Sequence, residues 1–274
     1  MVSEGTVEAE NAPPQMMSFV VPTDFVELPS KGHFYPEGHA LFEQDSIEIR
    51  HMTAKDEDIL TSRTLLKRGV ALDRMLQNII VNKKLDVKSL LIGDKNALLV
   101  AARISGYGAE YNTKVACPVC SATNQYSFDL NSLLDREYNL EEILDEWDVQ
   151  ITQNNTFSFL LPKTNYTVEL RLLTGVDENK LSQLGKTKKK HGLGETSLTD
   201  YLRAILVSIS GDSSPTTLHQ FIEHLPAIDA RYIRKVYQDL MPSVNMNHSF
   251  SCIECSHDDE VEVPFNTDFF WPKQ

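Results

Sequence analysis

The chain has 274 residues and a formal net charge of −13, with 41% hydrophobic and 24% charged residues. This composition is that of an ordinary globular protein, so a fibrous repeat and a wholly disordered chain are excluded. So acidic a surface repels phosphate backbones, and we expect no nucleic-acid partner. No apolar run approaches the roughly 18 residues of a membrane helix, and residues 1–14 lack the apolar core of a secretory signal. We therefore expect an intracellular protein without a membrane span.

The N-terminal region is predicted to be a flexible arm over residues 1–24. Its first part is acidic, contains Pro13 and Pro14, and offers little that could be buried. An apolar segment interrupted by prolines follows, up to about Pro36, and the prolines favour an extended chain over a helix. We expect this segment to cover the body of its own chain, with a neighbouring subunit as the alternative.

Residues 25–109 are predicted to be this extended segment followed by a helical region. Apolar and polar residues alternate over Ser46–Arg50, which predicts a strand. Thr53 and Asp56 then have the spacing of a capping box, which favours a helix start. The apolar periodicity predicts helices from there to Gly69, from Val70 to about Val81, and from about Lys95 to Ile104, with Gly106 and Gly108 ending the last.

A hairpin is predicted over residues 110–130, and residues 131–247 are predicted to form an insertion of helices and a second hairpin. Within the insertion, the pattern predicts a helix over 131–147, strands over 157–161 and 167–172, and helices over 177–189, 197–209, 216–224 and 227–240. The fold class is therefore predicted to be α+β, with a mainly helical body, β-hairpins and a split four-cysteine zinc ribbon.

Four cysteines in two CxxC pairs are the strongest chemical signal: Cys117 with Cys120, and Cys252 with Cys255. A two-residue gap lets both thiolates of a pair reach one metal ion at about 2.3 Å, and two pairs complete a tetrahedron. Apolar residues recur with a period of two after both pairs, at positions 126, 128 and 130 and at positions 261, 263 and 265. The two hairpins, 110–130 and 248–266, are therefore predicted to form a zinc ribbon around a structural zinc ion.

The cysteine pattern leaves three alternatives to zinc open. Iron takes the same four-sulfur ligand set, and a thioredoxin-like redox pair or four unmetallated thiols are the other two. His257 could replace a ligand, but we interpret it as a surface histidine because four cysteines already fill the shell. The basic cluster from Lys186 to His191 is interpreted as a solvated helix end.

Catalytic motifs were not found. The sequence contains no phosphate-binding loop, dinucleotide fingerprint, nucleophile elbow or HExxH pair. A four-sulfur site also leaves no open position for a water ligand, so we expect no enzyme and assign no catalytic or cofactor-binding residues besides the metal ligands.

Several segments outside the cysteine pairs carry a family resemblance: Phe25–Gly32 with Phe34–Pro36, Ile47–Arg50, Met52–Leu60, Ile92–Asn96 and Ala101–Gly108. Together they resemble the baseplate hub and hub-assembly proteins of contractile-tailed bacteriophages related to T4. The resemblance covers about residues 25–130 well and the rest of the chain loosely. It implies a structural or assembly role at the tail baseplate, with other baseplate and tail proteins as partners.

These features predict a non-catalytic structural component of the baseplate, at or near the hub, in which residues 1–36 dock onto neighbouring proteins. The protein is expected in the virion tail baseplate and, during assembly, in the host cytoplasm. A hub-assembly chaperone that is absent from the mature virion is the first alternative, and a nucleic-acid-binding zinc ribbon is the second.

Overall fold

The computed structural model describes residues 20–134, 138–191, 197–263 and 269–270; at Asn247 and Glu262 it describes the backbone alone. Predictions for residues 1–19, 135–137 and 264–266 therefore lie outside the described part of the chain. The described residues form α-helices and small antiparallel sheets, which confirms the predicted α+β class.

The elements of the N-terminal half are strands β1 (Thr23–Glu27) and β2 (Ser46–Arg50), helices α1 (Ala54–Thr61), α2 (Arg63–Arg68) and α3 (Ala71–Ile79), a 3-10 helix (Val87–Ser89), helix α4 (Ile92–Tyr107), and strands β3 (Glu110–Ala116) and β4 (Thr123–Asp129). Thr53 and Asp56 form the predicted capping box of α1. Helix α2 ends at Gly69, whose φ of +73° lies in the left-handed region that glycine accepts. Gly106 lies within the last turn of α4, and Gly108 ends that helix.

The elements of the C-terminal half are a 3-10 helix (Leu130–Leu133), helix α5 (Leu140–Trp147), strands β5 (Gln150–Ile151), β6 (Phe157–Leu160) and β7 (Thr167–Leu170), helices α6 (Gly175–Lys190) and α7 (Leu198–Ile205), strand β8 (Leu206–Ile209), helices α8 (Pro215–His224) and α9 (Ala227–Leu240), and strands β9 (Asn247–Ser251) and β10 (Asp258–Glu262).

Two helices of this half differ from the prediction. The helix predicted over 197–209 is wrong in its last turn, because residues 206–209 form β8 and pair with β7. An available sheet edge thus overrides the helical periodicity there. The helix predicted from residue 131 begins at Leu140, where the Asn139 side chain accepts a hydrogen bond from Glu142 N at 3.4 Å.

The strands form one four-stranded antiparallel sheet, in the order β5-β6-β7-β8, and three two-stranded sheets, β1-β2, β3-β4 and β9-β10. Beside β2, Ile49 forms an isolated antiparallel bridge with Ile80. In the larger sheet, Leu170 of β7 pairs with Leu206 of β8. Both β2 and β7 therefore pair with a further segment along one edge, but at β2 this pairing is limited to one residue pair.

One arrangement of elements occurs twice along the chain. Each copy begins with a β-hairpin, β1-β2 or β6-β7, continues through a helix that starts with a capping box and later a long helix, and ends in a cysteine hairpin. The long helix is α4 in the first copy and α9 in the second. We call these copies the first unit (residues 23–129) and the second unit (residues 157–262).

The junction between hairpin and capped helix is the same in both units. An arginine, a threonine and an aspartate recur there with identical spacing: Arg50, Thr53 and Asp56 in the first unit, and Arg171, Thr174 and Asp177 in the second. The threonine and the aspartate form the capping box. The arginine forms an ion pair with the aspartate, at 2.7 Å in the first unit and 2.8 Å in the second. Each hairpin is therefore tied to its helix by the same partly buried contact.

An aspartate in the first turn of each long helix binds the hairpin of the same unit. Asp94 Oδ1 accepts a hydrogen bond from Ser30 N at 3.0 Å, and Asp229 Oδ1 accepts one from Lys163 N at 2.9 Å. Asp94 Oδ2 also accepts from Ser30 Oγ at 2.6 Å and from Tyr35 Oη at 2.7 Å. Both aspartates are completely buried. The same polar contact therefore locks each long helix against the turn end of its hairpin.

The proline-interrupted segment after β1 packs on the body of its own chain, as expected from the sequence. Leu28 and Tyr35 are each only 2% exposed. Tyr35 Oη accepts a hydrogen bond from Leu91 N at 3.0 Å in addition to its bond with Asp94. By contrast, Val20 and Phe25 are 84% and 72% exposed. The segment thus covers the body from Leu28 onward and leaves apolar side chains exposed before it.

The two units share one hydrophobic core. Reciprocal backbone hydrogen bonds join them where α4 and α6 begin: Ile92 N donates to Leu173 O at 3.1 Å, and Gly175 N donates to Leu90 O at 2.9 Å. The buried Lys95 ammonium lies between carboxylates of the two units and contacts both at 2.7 Å. The units are therefore halves of one packed body.

Candidate metal centre

The first cysteine pair lies in the tight turn between β3 and β4. Ser121 N donates to the Cys117 carbonyl at 2.9 Å, and Cys117 N donates to the Ala122 carbonyl at the same distance. The turn closes because Ser121 adopts a φ of +59°. Both cysteine side chains of the pair are thereby held on the same side of the hairpin end.

The second pair lies in an equivalent turn between β9 and β10. Ser256 N donates to the Cys252 carbonyl and Cys252 N donates to the His257 carbonyl, each at 2.9 Å, and Ser256 has a φ of +53°. The strand registers also agree, since Thr113 pairs with Tyr126 and His248 pairs with Val261 at matching positions. The two hairpins are thus built alike from their turns to their strands.

The four Sγ atoms meet between the two turns. The Sγ atoms of Cys117 and Cys255 are 3.7 Å apart, as are those of Cys120 and Cys252, and all four lie within 4.8 Å of one another. A tetrahedral ion with metal–sulfur bonds of about 2.3 Å would place its sulfurs about 3.8 Å apart. A disulfide requires about 2.05 Å, so all four cysteines are free. The spacing fits a four-coordinate metal.

Aromatic rings pack the two hairpins together behind the cysteines. The Tyr126 ring lies 5.6 Å from Phe250 and 4.9 Å from Phe128. Tyr126 Oη donates to the Ser249 carbonyl at 2.6 Å, and Phe128 contacts the His248 ring edge-on at 5.3 Å. The sulfur cluster therefore sits at the end of an interface that is packed in its own right.

Asn124 connects the two hairpins beside the sulfurs. Its amide donates to Cys252 Sγ at 3.5 Å, and its Oδ1 accepts from Ile253 N at 3.0 Å. The side chain is buried with Cys117 and Cys252, whereas Cys120 and Cys255 are exposed. Asn124 could not be found from the sequence, because one asparagine in a polar strand carries no signal by itself.

Hydrogen bonding distributes the protons of the thiols unequally. The backbone N–H groups of Cys255 and Glu254, with the Asn124 amide, lower the pKa of the Cys252 thiol to about 6. Hydrogen bonding with Cys120 raises the pKa of the Cys255 thiol to about 12. A metal ligated by all four sulfurs would have to displace the remaining protons, which a divalent cation does readily because thiolates are its ligands.

A family model described as T4 bacteriophage base plate protein matches residues 21–271. The chain belongs to this family. The match spans both units of the baseplate protein and all four cysteines, which confirms the resemblance found in the sequence. Comparison with curated proteins and with solved structures gave no match. Family membership assigns the protein a structural role in the phage baseplate, with tail and baseplate proteins as its partners.

The remaining sequence candidates lie away from the sulfur cluster of this baseplate protein. His257 is half-buried, and its Nε2 lies 3.3 Å from Asp259 Oδ2 rather than among the sulfurs. The basic cluster forms the last turns of α6, where Lys188 binds the buried Asp200 at 2.5 Å. Within the described residues, none of the helices is both long and apolar enough to cross a bilayer.

Proposed function

We propose that this protein is a zinc-stabilised, non-catalytic structural component of the contractile-tail baseplate, at or near the hub. The observation that carries the proposal is the cluster of four Sγ atoms, two from each unit, in a chain of the baseplate family. Zinc at this point would join the C-terminal hairpin to the first half of the chain and close a long loop. The proposed role of the ion is therefore to stabilise the arrangement of the two cysteine hairpins.

The ligand set supports a closed site. Four sulfurs complete the tetrahedron that zinc prefers in structural sites, and they leave no position for a catalytic water. Zinc is preferred over iron because the proposed role requires a fixed geometry and no change of redox state. The ligands are Cys117, Cys120, Cys252 and Cys255.

Contacts with neighbouring tail proteins are proposed to involve residues 1–36. Within the described part of this segment, Leu28 to Tyr35 pack on the body, so contacts are assigned to the exposed apolar side chains before it, Val20 and Phe25. We propose that the protein stays in the virion tail baseplate and passes through the host cytoplasm only during assembly. The net charge of −13 supports protein partners over nucleic acid.

The metal is tested by elemental analysis of the purified full-length protein. One zinc per chain is expected, with loss of the ion from Cys117→Ser and Cys252→Ser because either change leaves an incomplete tetrahedron. His257→Ala is the matched control and should keep its zinc. Iron in place of zinc, or metal content unchanged in the cysteine variants, would contradict the proposed site.

The location is tested by quantitative mass spectrometry of virions freed of unassembled protein. A fixed number of copies per particle is expected for a structural component. Abundance in infected cells together with absence from finished particles would instead identify a hub-assembly chaperone. Retention of the purified protein on DNA or RNA at low ionic strength would favour the nucleic-acid-binding alternative.

A further inference from the structure

Helix α5, which precedes the second unit in the chain, packs on the long helix α9 of that unit. The Trp147 ring packs edge-on against Tyr232 at 5.4 Å, and Trp147 Nε1 donates to Asp239 Oδ2 at 3.0 Å. At the other end of α5, Tyr138 Oη donates to the Leu240 carbonyl at 2.7 Å. Helix α5 is therefore anchored on α9 by one aromatic residue near each end.

Strand β5 then covers the outer edge of the hairpin of the second unit. Gln150 pairs with Ser158 and Ile151 pairs with Phe157, which makes β5 the neighbour of β6 in the four-stranded sheet. A helix and the strand that follows it thus fill the corner between the hairpin edge and the long helix.

The corresponding corner of the first unit is an open groove. The two units can be aligned so that Cys117 matches Cys252. In this alignment, Ala97 matches Tyr232, Ile104 matches Asp239 and Ser105 matches Leu240. When the two hairpins are aligned by their strand registers, Asp24 matches Phe157 and Phe25 matches Ser158. All five first-unit positions line one cavity of about 810 Å³.

Within the described residues, β2 is the only strand that pairs with β1, so no described strand occupies the edge of β1 beside the groove. Among the residues that line the groove, Phe25 is 72% exposed and Leu134 is 39% exposed. A strand edge without a described partner strand, beside a groove lined by both apolar and polar side chains, is the kind of surface to which extended and helical segments of partner proteins add. Helix α5 and strand β5 are such a segment at the corresponding place beside the second unit.

The chain's own N-terminal sequence is a poor counterpart of α5–β5. In the hairpin alignment, Pro13 and Pro14 precede β1 at the positions that Glu146 and Trp147 of α5 hold before β6. Prolines inside a helix remove its hydrogen bonds, and the aromatic anchor is missing. The N-terminal sequence therefore does not match the α5–β5 pattern, which favours a segment of another molecule as the occupant.

We propose that the groove between β1 and α4 binds a helix–strand segment of another baseplate protein. The segment is an amphipathic helix of about two turns, followed by residues that extend the β1-β2 sheet. The side chains of the groove set its preference. Ala101, which is half-buried, leaves room where the second unit has Val236, so the anchor reaches deeper. Ile104 replaces the acceptor Asp239, so the anchor is phenylalanine or another apolar residue rather than tryptophan.

The identity of the partner as a baseplate protein rests on the proposed function, whereas the groove itself can be tested with purified protein. The probe is a labelled peptide of residues 138–151 carrying Trp147→Phe, titrated into the zinc-loaded full-length chain. One peptide per chain is expected to bind. Ala101→Trp, which fills the groove, and Phe25→Asp, which alters an exposed side chain at its mouth, should each weaken binding by at least about tenfold.

Ser182→Trp, on the exposed face of α6, is the matched control and should bind the peptide as the unchanged protein does. Failure of the peptide to bind, or equal binding to all variants, would overturn the groove as a docking site. Phe25→Asp keeps the test valid even where Ala101→Trp disturbs folding, because the exposed Phe25 side chain contributes little to the packing of the core.

The partner class is tested by placing a photo-crosslinking amino acid at position 25 during phage assembly. A crosslink in particles to another baseplate protein is expected. A crosslink to a second copy of this chain or to its own residues 1–19 would overturn the assignment of the occupant. Absence of the chain from particles would refute the proposed function while leaving the peptide result intact, so the two failures are distinguishable.

Discussion

Replacing Asp94 with alanine is expected to lower the free energy of unfolding by about 3–5 kcal/mol. The carboxylate accepts three hydrogen bonds, two from Ser30 and one from Tyr35, at 2.6–3.0 Å. At about 1.5 kcal/mol each, the low end for bonds to a charged acceptor, these sum to about 4–5 kcal/mol. Burial of the carboxyl raises its pKa and offsets part of that gain.

Asp229→Ala in the second unit is the matched comparison. Asp229 accepts two hydrogen bonds, from Lys163 N at 2.9 Å and Thr164 N at 3.0 Å. Lys163 is exposed, so water can replace part of what the carboxylate supplies to this turn. The expected loss is therefore about 1–2 kcal/mol, smaller than that at Asp94.

The assay is urea unfolding of the full-length, zinc-loaded protein followed by far-ultraviolet circular dichroism. Asp94→Asn should fall between the parent and Asp94→Ala, since one acceptor oxygen remains. Equal losses at Asp94 and Asp229, within about 0.5 kcal/mol, would refute the argument that the number and burial of the donors set the difference.

Three further outcomes are expected. Asn124→Ala should weaken zinc binding about 10- to 100-fold in a chelator competition, whereas Asp259→Ala, at the matching position of the other hairpin, should not; equal effects would show that the amide contact to sulfur is irrelevant. Burial opposes ionisation of Asp177, but Arg171 outweighs it and lowers the pKa of this carboxyl to about 2, below the ordinary 3.8. The carboxylate therefore stabilises the fold above about pH 4 and loses this contribution as the pH falls towards 2, so Asp177→Asn should flatten the acid limb of the unfolding profile. Deleting residues 1–19 should leave the melting temperature unchanged and reduce incorporation into particles; a lower melting temperature would place that segment in the protein's own core.

The sequence predicted best where a local pattern decides the structure. The two CxxC pairs need only their own turns to present two thiols each, and Thr53 with Asp56 forms a capping box from four consecutive residues. Contacts across the chain were missed. Asp94 and Asp229 look like ordinary first-turn acids, and only the folded hairpin shows what they bind.

Two other errors have physical causes outside the local sequence. Residues 206–209 continue a helical pattern, yet the free edge of β7 offered hydrogen bonds that a strand can use. The two units were not recognised because the loops between matching segments differ in length. The β1-β2 connection runs from residue 28 to 45, whereas the β6-β7 connection is short, so no constant period marks the repetition.

The cysteine cluster takes two sulfurs from each unit, and the two cysteine pairs lie far apart along the sequence. Neither hairpin alone offers more than half a coordination shell, so tight capture of an ion must wait until both cysteine hairpins have been synthesised and have met. A bound metal would then indicate that both hairpins have folded and come together. A truncated or half-folded chain would carry two unpaired thiols and no ion, and would lack the joined hairpins that a finished subunit brings to its assembly.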